Sequence, residues 1–133
     1  MQVRVQHLGD VKFEANSRGH RVICDQPAPN GGEDSGMTPP EFLLTALGTC
    51  SAYYAAQYLK NHSLSSKGLE VVVSAEKLKA PARLGDFHIE VIADRMDSAN
   101  EAGLRRAVEA CLIHNTLLNA PQIETEVHTA VLA

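Results

Sequence analysis

The sequence predicts an α+β fold with a mostly antiparallel sheet. Three observations carry that prediction. Short Val-rich stretches are separated by turn-forming residues, two longer stretches have helical character and open on capping boxes, and strands neighbour strands in hairpins instead of alternating with helices. With 133 residues, 44% apolar and 21% charged, the chain has the size and mix of one globular domain over residues 1–133.

The first 25 residues favour strands. Val3–Leu8, Val11–Ala15 and His20–Cys24 are short and rich in Val, and Gly9-Asp10 and Asn16-Ser17-Arg18-Gly19 separate them. Gly and Asn tolerate positive φ, which tight hairpins require, so three antiparallel strands follow. Asp25–Thr38 holds three Gly and two Pro and is expected as a loop.

Thr38 opens the first helix. It can cap, Pro39 fits the first helical position where no amide hydrogen is needed, and Glu41 completes a capping box. The helix should run to about Asn61, where NHSLSSKG supplies a stop. Leu69–Lys79 and Asp86–Asp94 flank a turn containing Pro81 and Gly85 and should pair as a hairpin. Ser98 and Glu101 form a second capping box, and the helical spacing of Ala102, Leu104, Ala107, Val108, Cys111, Leu112 and Leu118 runs on until Ala120-Pro121. Glu124–Leu132 alternates Val127, Thr129 and Val131 on one face and reads as a closing strand. The predicted order is β-β-β-α-β-β-α-β around a single sheet. The first helix is apolar around most of its circumference, more than one sheet can cover, so a second subunit is expected against it.

Charge narrows the partners. Twelve Lys plus Arg against sixteen Asp plus Glu give a net charge of −4, which opposes a phosphate backbone or an anionic membrane. With no Trp and only three Tyr and three Phe, there is little material for stacking bases. Nucleic acid is therefore not an expected partner. Phe42–Leu59 carries no charge over 18 residues, the lower limit for a membrane span, but Thr45, Gly48, Thr49, Ser51 and Gln57 interrupt it. A helix buried in a globular protein is the better reading. The N-terminus shows no signal-peptide pattern.

The chemistry-bearing residues are cysteines. Cys24, Cys50 and Cys111 lack the spacing of a zinc ribbon or a CxxC motif, and their odd number argues against a disulfide framework, so the thiols are expected to be intracellular and at least partly reduced. Cys50 falls mid-helix in the first helix and Cys111 mid-helix in the second. Helices packed on one sheet can bring such thiols together as a redox pair, one attacking an oxidant and the other resolving the sulfenic acid. The competing reading is that both are small buried hydrophobes. His114 shares a helical face with Cys111, but a Cys-His pair without two further ligands does not make a structural metal site. Cys24 reads as structural. Tyr53, Tyr54 and Tyr58, with Phe42 and Leu43, read as core or interface, and an apolar pocket near Cys50 would suit a hydrophobic substrate.

The segment MTPPEFLLTALGTCSAYYAAQYLKN, Met37–Asn61, resembles the first cysteine motif of the OsmC/Ohr family of hydroperoxide-reducing proteins, and VEACLIHNTL, Val108–Leu117, resembles the second. The predicted element order is also that family's order. The resemblance implies a thiol peroxidase acting on organic hydroperoxides, with Cys50 as peroxidatic nucleophile and Cys111 as resolving cysteine. Only a thiolate attacks the O–O bond, so Cys50 needs a nearby cation. In the family an N-terminal Arg supplies it. Arg18 is the nearest match here and Arg21 the competitor, against the simpler reading of solvated hairpin charges.

Two positions depart from the family pattern. Where the hydroperoxidase branches carry a Glu after the first Pro to hold the Arg, this chain has Pro40, and Glu41 comes one later. Nine positions separate Glu41 from Cys50, which on a helix of about 100° per residue puts them on opposite faces. Capping accounts for Glu41 without catalysis. Leu112 stands where many members have Pro.

The resemblance further implies an intertwined homodimer in the cytoplasm with its active sites at the dimer interface, so that Arg18 serves the Cys50 of the other subunit. No bound cofactor and no metal are expected, because sulfur carries the two-electron chemistry. The electrons must then come from an external dithiol, lipoyl-type in the hydroperoxidase branch. The alternative from another class is a non-enzymatic binding or stress-response protein that keeps an apolar cleft, supported by Pro40. General thiol-disulfide exchange is disfavoured by the absence of CxxC.

Overall fold

The computed structural model describes residues 1–130. Eight elements succeed one another: β1 (Arg4–Gly9), β2 (Lys12–Ser17), β3 (His20–Cys24), α1 (Pro39–Asn61), β4 (Glu70–Leu78), β5 (Arg83–Ile92), α2 (Ser98–Glu109) and α3 (Leu112–Leu118). The class is α+β, as the sequence predicts. All five strands pair antiparallel.

Turn chemistry sets the hairpins. Ser17 pairs with His20, leaving Arg18 and Gly19 as the two loop residues, at φ 53° and 82°. Positive φ at both positions matches the twist of the flanking strands. In the β4–β5 hairpin Val71 faces Val91 and Val73 faces Ile89. The strand alternation therefore turns these side chains to one face, and Ile89 and Val91 pack against the helical core.

The strands form two sheets, β1-β2-β3 and β4-β5, where one was expected. Hydrophobic alternation marks a strand's buried face but carries no information about its neighbour. The three-stranded sheet makes no extensive contact with the helices or with β4 and β5, and Val5, Leu8 and Val22 on it stay exposed.

Helix α1 starts as its capping box dictates. The Thr38 amide and hydroxyl donate to Glu41 Oε1 at 3.1 and 2.7 Å. Leu47, Ser51, Ala55 and Leu59 are its buried stripe, and the four-residue spacing keeps them on one face. Ala55 and Leu59 join Leu104 and Val108 of α2 in the core, with Tyr58, Leu64, Leu69, Ile89, Val91 and Met96 around them.

The second helical stretch departs from expectation in two places. Its cap is Asp97, whose carboxylate accepts from the Asn100 amide at 2.7 Å, one residue before the expected Ser98. The stretch also breaks at Ala110-Cys111 into α2 and α3, so Cys111 is not mid-helix. It stands as the N-cap of α3, at φ −58° and ψ 137°. Periodicity misses this break because Cys111 follows Val108 by three and is buried on either side of the interruption. The expected strand at 124–132 is not formed over 124–130, where every residue is exposed and without regular structure; residues 131 and 132 lie outside the described residues. An alternating segment becomes a strand only with a sheet edge to pair with. Among the described residues no helix is long and apolar enough to cross a membrane.

Candidate thiol site

The break in the second helical stretch delivers Cys111 to Cys50. Cys50 is half-buried on α1, next to the fully buried Ser51. Cys111 has no exposed surface, and the Cys50 thiol lies near enough to bear on its charge state. Both thiols are free. Burial, and then the neighbouring Cys50 thiol, push the Cys111 thiol above the ordinary cysteine range, while the backbone amides of His114 and Ile113 oppose that shift. Those amides belong to the first turn of α3, where the Cys111 side chain makes no capping hydrogen bond. The pair is thus asymmetric: one thiol reachable from solvent, its partner enclosed and held protonated.

Cys24 ends β3, beside an isolated parallel bridge to Met37. Burial, and then the Asp25 charge, raise its thiol as well. No hydrogen bond links it to the other two cysteines.

The charged candidates are not assembled around Cys50 within the chain. Arg18 is exposed at the tip of the β2–β3 hairpin and enters no ion pair among the described residues. Arg21 forms a two-pronged ion pair with Glu14, Nε to Oε1 at 2.5 Å and Nη2 to Oε2 at 3.0 Å. This bond raises the Arg21 guanidinium and lowers the Glu14 carboxyl. Glu41 is exposed and spent on Thr38, whose hydroxyl and amide lower its carboxyl. His114 Nδ1 donates to the Glu109 carbonyl at 2.9 Å, since a carbonyl can only accept. That bond secures the α2–α3 junction.

A groove lies elsewhere than expected. An open groove of about 360 Å³ runs between α1 and β4, lined by Leu44, Thr45, Gly48, Thr49, Ala52, Val71 and Val73. Gly48 and Ala52 are two residues before and after Cys50, about 200° around the helix. The groove is therefore on the far side of α1 from the thiol, and the expected pocket beside Cys50 is not this one.

Two further features were not foreseen from the sequence. Asp25 is buried, and its carboxylate accepts from the amides of Gln26, Glu33 and Ser35 at 2.8, 3.2 and 3.1 Å and from the Ser35 hydroxyl at 2.6 Å. The Ser35 bonds lead in holding its carboxyl well below the usual carboxylate range. This residue organises the loop between β3 and α1. Ser51 is buried with a hydroxyl that meets no hydrogen-bond partner. An Asp leading a Gly-rich, Ser-containing loop could have signalled the first; nothing in the sequence marks the second.

Two antiparallel sheets, a long central helix and a pair of thiols carried by separate helical segments define a class of α+β dithiol protein. The OsmC-like protein family profile matches residues 32–126, and the chain belongs to that family. Among solved structures it is similar to a candidate osmotic stress induced and detoxification response protein from Psychrobacter arcticus 273-4, at TM-score 0.79 and 18% identity over 87% of each chain. It is also similar to an OsmC-like protein from Mycoplasma pneumoniae, at TM-score 0.73 and 17% identity over 90% of this chain and 87% of that one. An organic hydroperoxide resistance protein OsmC from Legionella pneumophila gives TM-score 0.64 and 16% identity, over 89% and 88%. At these identities the likeness concerns the fold. No curated protein sequence matches the chain.

Proposed function

We propose that this chain is a cysteine-based peroxidase that reduces organic, hydrophobic hydroperoxides through Cys50 and Cys111. The observation that carries the reading is the nearness of a half-buried thiol on α1 to a fully buried one at the start of α3.

The unequal exposure supports the following order of events. Cys50, as thiolate, attacks the outer peroxide oxygen; the O–O bond breaks, the alkoxide leaves and takes a proton as the alcohol, and Cys50 becomes a sulfenic acid. The Cys111 thiol then attacks the Cys50 sulfur, water leaves, and a disulfide forms. An external dithiol, of the lipoyl type, returns two electrons and two protons by exchange. Sulfur carries every electron, so no bound cofactor or metal enters the scheme.

Arg18 is the residue proposed to lower the Cys50 thiol. In the same reading the chain is a cytoplasmic homodimer, and Arg18 reaches the Cys50 of its partner. Two surfaces support this assembly: a three-stranded sheet whose Val5, Leu8 and Val22 no element of its own chain covers, and the uncovered groove between α1 and β4. A second reading, an OsmC-like binding or stress-response protein with little turnover, is favoured by one observation. Within the chain neither Arg18, Arg21 nor Glu41 engages Cys50.

Single-turnover consumption of cumene hydroperoxide by the reduced protein separates the two. The peroxidase reading expects Cys50 to be oxidised faster than free cysteine, Cys50→Ser to be inert, and Cys111→Ser to stop at the sulfenic acid. Oxidation of Cys50 no faster than free cysteine leaves the binding reading. Arg18→Ala should slow oxidation without changing the fold.

A further inference from the structure

We propose that Tyr53 makes this chain selective for hydroperoxides that carry an aromatic ring, by holding that ring beside Cys50. This assignment rests on the peroxidase reading above, to which it adds a substrate class and the residue that sets it.

The backbone of α1 places the ring. Tyr53 and Tyr54 follow Cys50 by three and four residues, and at about 100° per residue they stand about 60° to one side of it and about 40° to the other. Tyr53 is only about 4.5 Å further along the axis. Helical side chains lean toward the N-terminus, so both tyrosines are directed back over the turn that carries the Cys50 sulfur. Leu43, seven residues before Cys50, points within about 20° of the same direction, two turns away. Helical neighbours of this kind stay beside the sulfur whatever a second copy of the chain adds.

The two rings support each other. Their centroids are 5.5 Å apart and their planes meet at 83°, the edge-to-face arrangement that aromatic quadrupoles favour. Tyr54 is half-buried and so steadies its neighbour, while Tyr53 keeps 61% of its surface free within its own chain. The tyrosines of α1 thereby take different parts. Tyr58 is committed to α2 through its hydroxyl and Asn100, Tyr54 props, and Tyr53 presents a ring. A second copy seated on that ring would also cover the Cys50 sulfur one turn away, which the peroxide has to reach. The partner left for the ring is the carbon skeleton of the substrate. An aryl group meets the Tyr53 ring offset-stacked or edge-on and gains more than its buried area alone supplies, which an alkyl group does not.

Cumene hydroperoxide and tert-butyl hydroperoxide differ only in a phenyl against a methyl group on the same carbon, so the ratio of their rates isolates the ring. The second-order rate constant for oxidation of Cys50 in the reduced chain is measured with each, and the ratio is compared with that of free cysteine. The wild type should prefer cumene hydroperoxide by about tenfold or more beyond free cysteine. Tyr53→Leu, which keeps apolar bulk and loses the ring, should lower that preference about three- to tenfold. Tyr53→Phe, which keeps the ring, should retain it. An unchanged ratio in Tyr53→Leu, while wild-type Cys50 reacts faster than free cysteine, overturns the role of Tyr53 and leaves the peroxidase reading standing. A changed oligomeric state of Tyr53→Leu in size-exclusion chromatography gives the ring to the contact between copies and overturns the proposal as well. Oxidation of wild-type Cys50 no faster than free cysteine by either peroxide removes the peroxidase reading itself, and the proposal with it.

Discussion

Cys111 is fully enclosed at the N-cap of α3, with its thiol near that of Cys50. This relationship depends on the two-residue break, Ala110 and Cys111, between two helices, and it makes the two thiols chemically unequal. Alkylation of the native reduced chain should label Cys50 well before Cys111, by about tenfold or more, since labelling needs an accessible thiolate. Mass spectrometry after a timed iodoacetamide pulse reads this directly.

The same burial predicts a pH effect on stability. A thiol raised above its unfolded value, near 8.5, contributes stability that is present below that pH and declines as pH rises through it. The wild-type unfolding free energy should therefore fall between about pH 8 and pH 10, and the fall should be smaller in Cys111→Ala. Urea unfolding at several pH values measures it.

Leu112 is the first residue of α3 and is exposed, and Cys111 before it has φ −58° and ψ 137°. The first helical position needs no amide hydrogen, and the residue before a proline favours this extended backbone. Leu112→Pro should therefore change stability by less than about 1 kcal/mol, whereas Leu104→Pro inside α2 should cost about 3 kcal/mol or more. Thermal unfolding of the two variants distinguishes them. The family's habit of placing Pro here acquires a physical reason: the position begins a helix.

Gly103 is buried on α2 where Tyr58 crosses from α1, and a Cβ there would overlap the Tyr58 ring and hydroxyl. That hydroxyl donates to Asn100 Oδ1 at 2.9 Å, so the ring cannot simply withdraw. Gly103→Ala should destabilise by about 1–3 kcal/mol. Adding Tyr58→Phe, which removes the hydroxyl in the way, should return part of the loss, a non-additivity measured by a double-mutant cycle.

The buried Ser51 hydroxyl has no partner. Removing an unsatisfied polar atom without opening a large cavity should help, so Ser51→Ala is expected to stabilise by about 1 kcal/mol. A melting temperature raised by a few degrees would agree.

Asp25 works in the acid range. Its carboxyl is held down by four donated bonds, so its contribution is fully present above the unfolded value near 3.9 and is lost as pH falls below it. Asp25→Asn should flatten the stability curve below about pH 4. Acid titration followed by circular dichroism compares the two chains.

Much of this was legible in the chain itself. Hairpin turns, the Thr38–Glu41 box and the extent of α1 follow from local rules, because the groups that decide them lie within a few residues of one another. The likeness to two cysteine motifs singled out Cys50 and Cys111. The alternation in 124–130 was equally clear, yet no strand forms there, since pairing depends on an edge that the segment does not itself supply.

By itself, then, the sequence determined five strands and the first helix, the α+β class and which cysteines to compare. Only the tertiary structure decided that the sheet divides in two, that the second helix stops before Cys111, and that the open groove lies behind α1 instead of beside the thiol. Periodicity reports which face of an element seeks burial, and this is a property of neighbours in the chain. What that face meets, and where a helix must break to let Cys111 reach Cys50, depends on segments about sixty residues apart, whose meeting only the packed chain establishes.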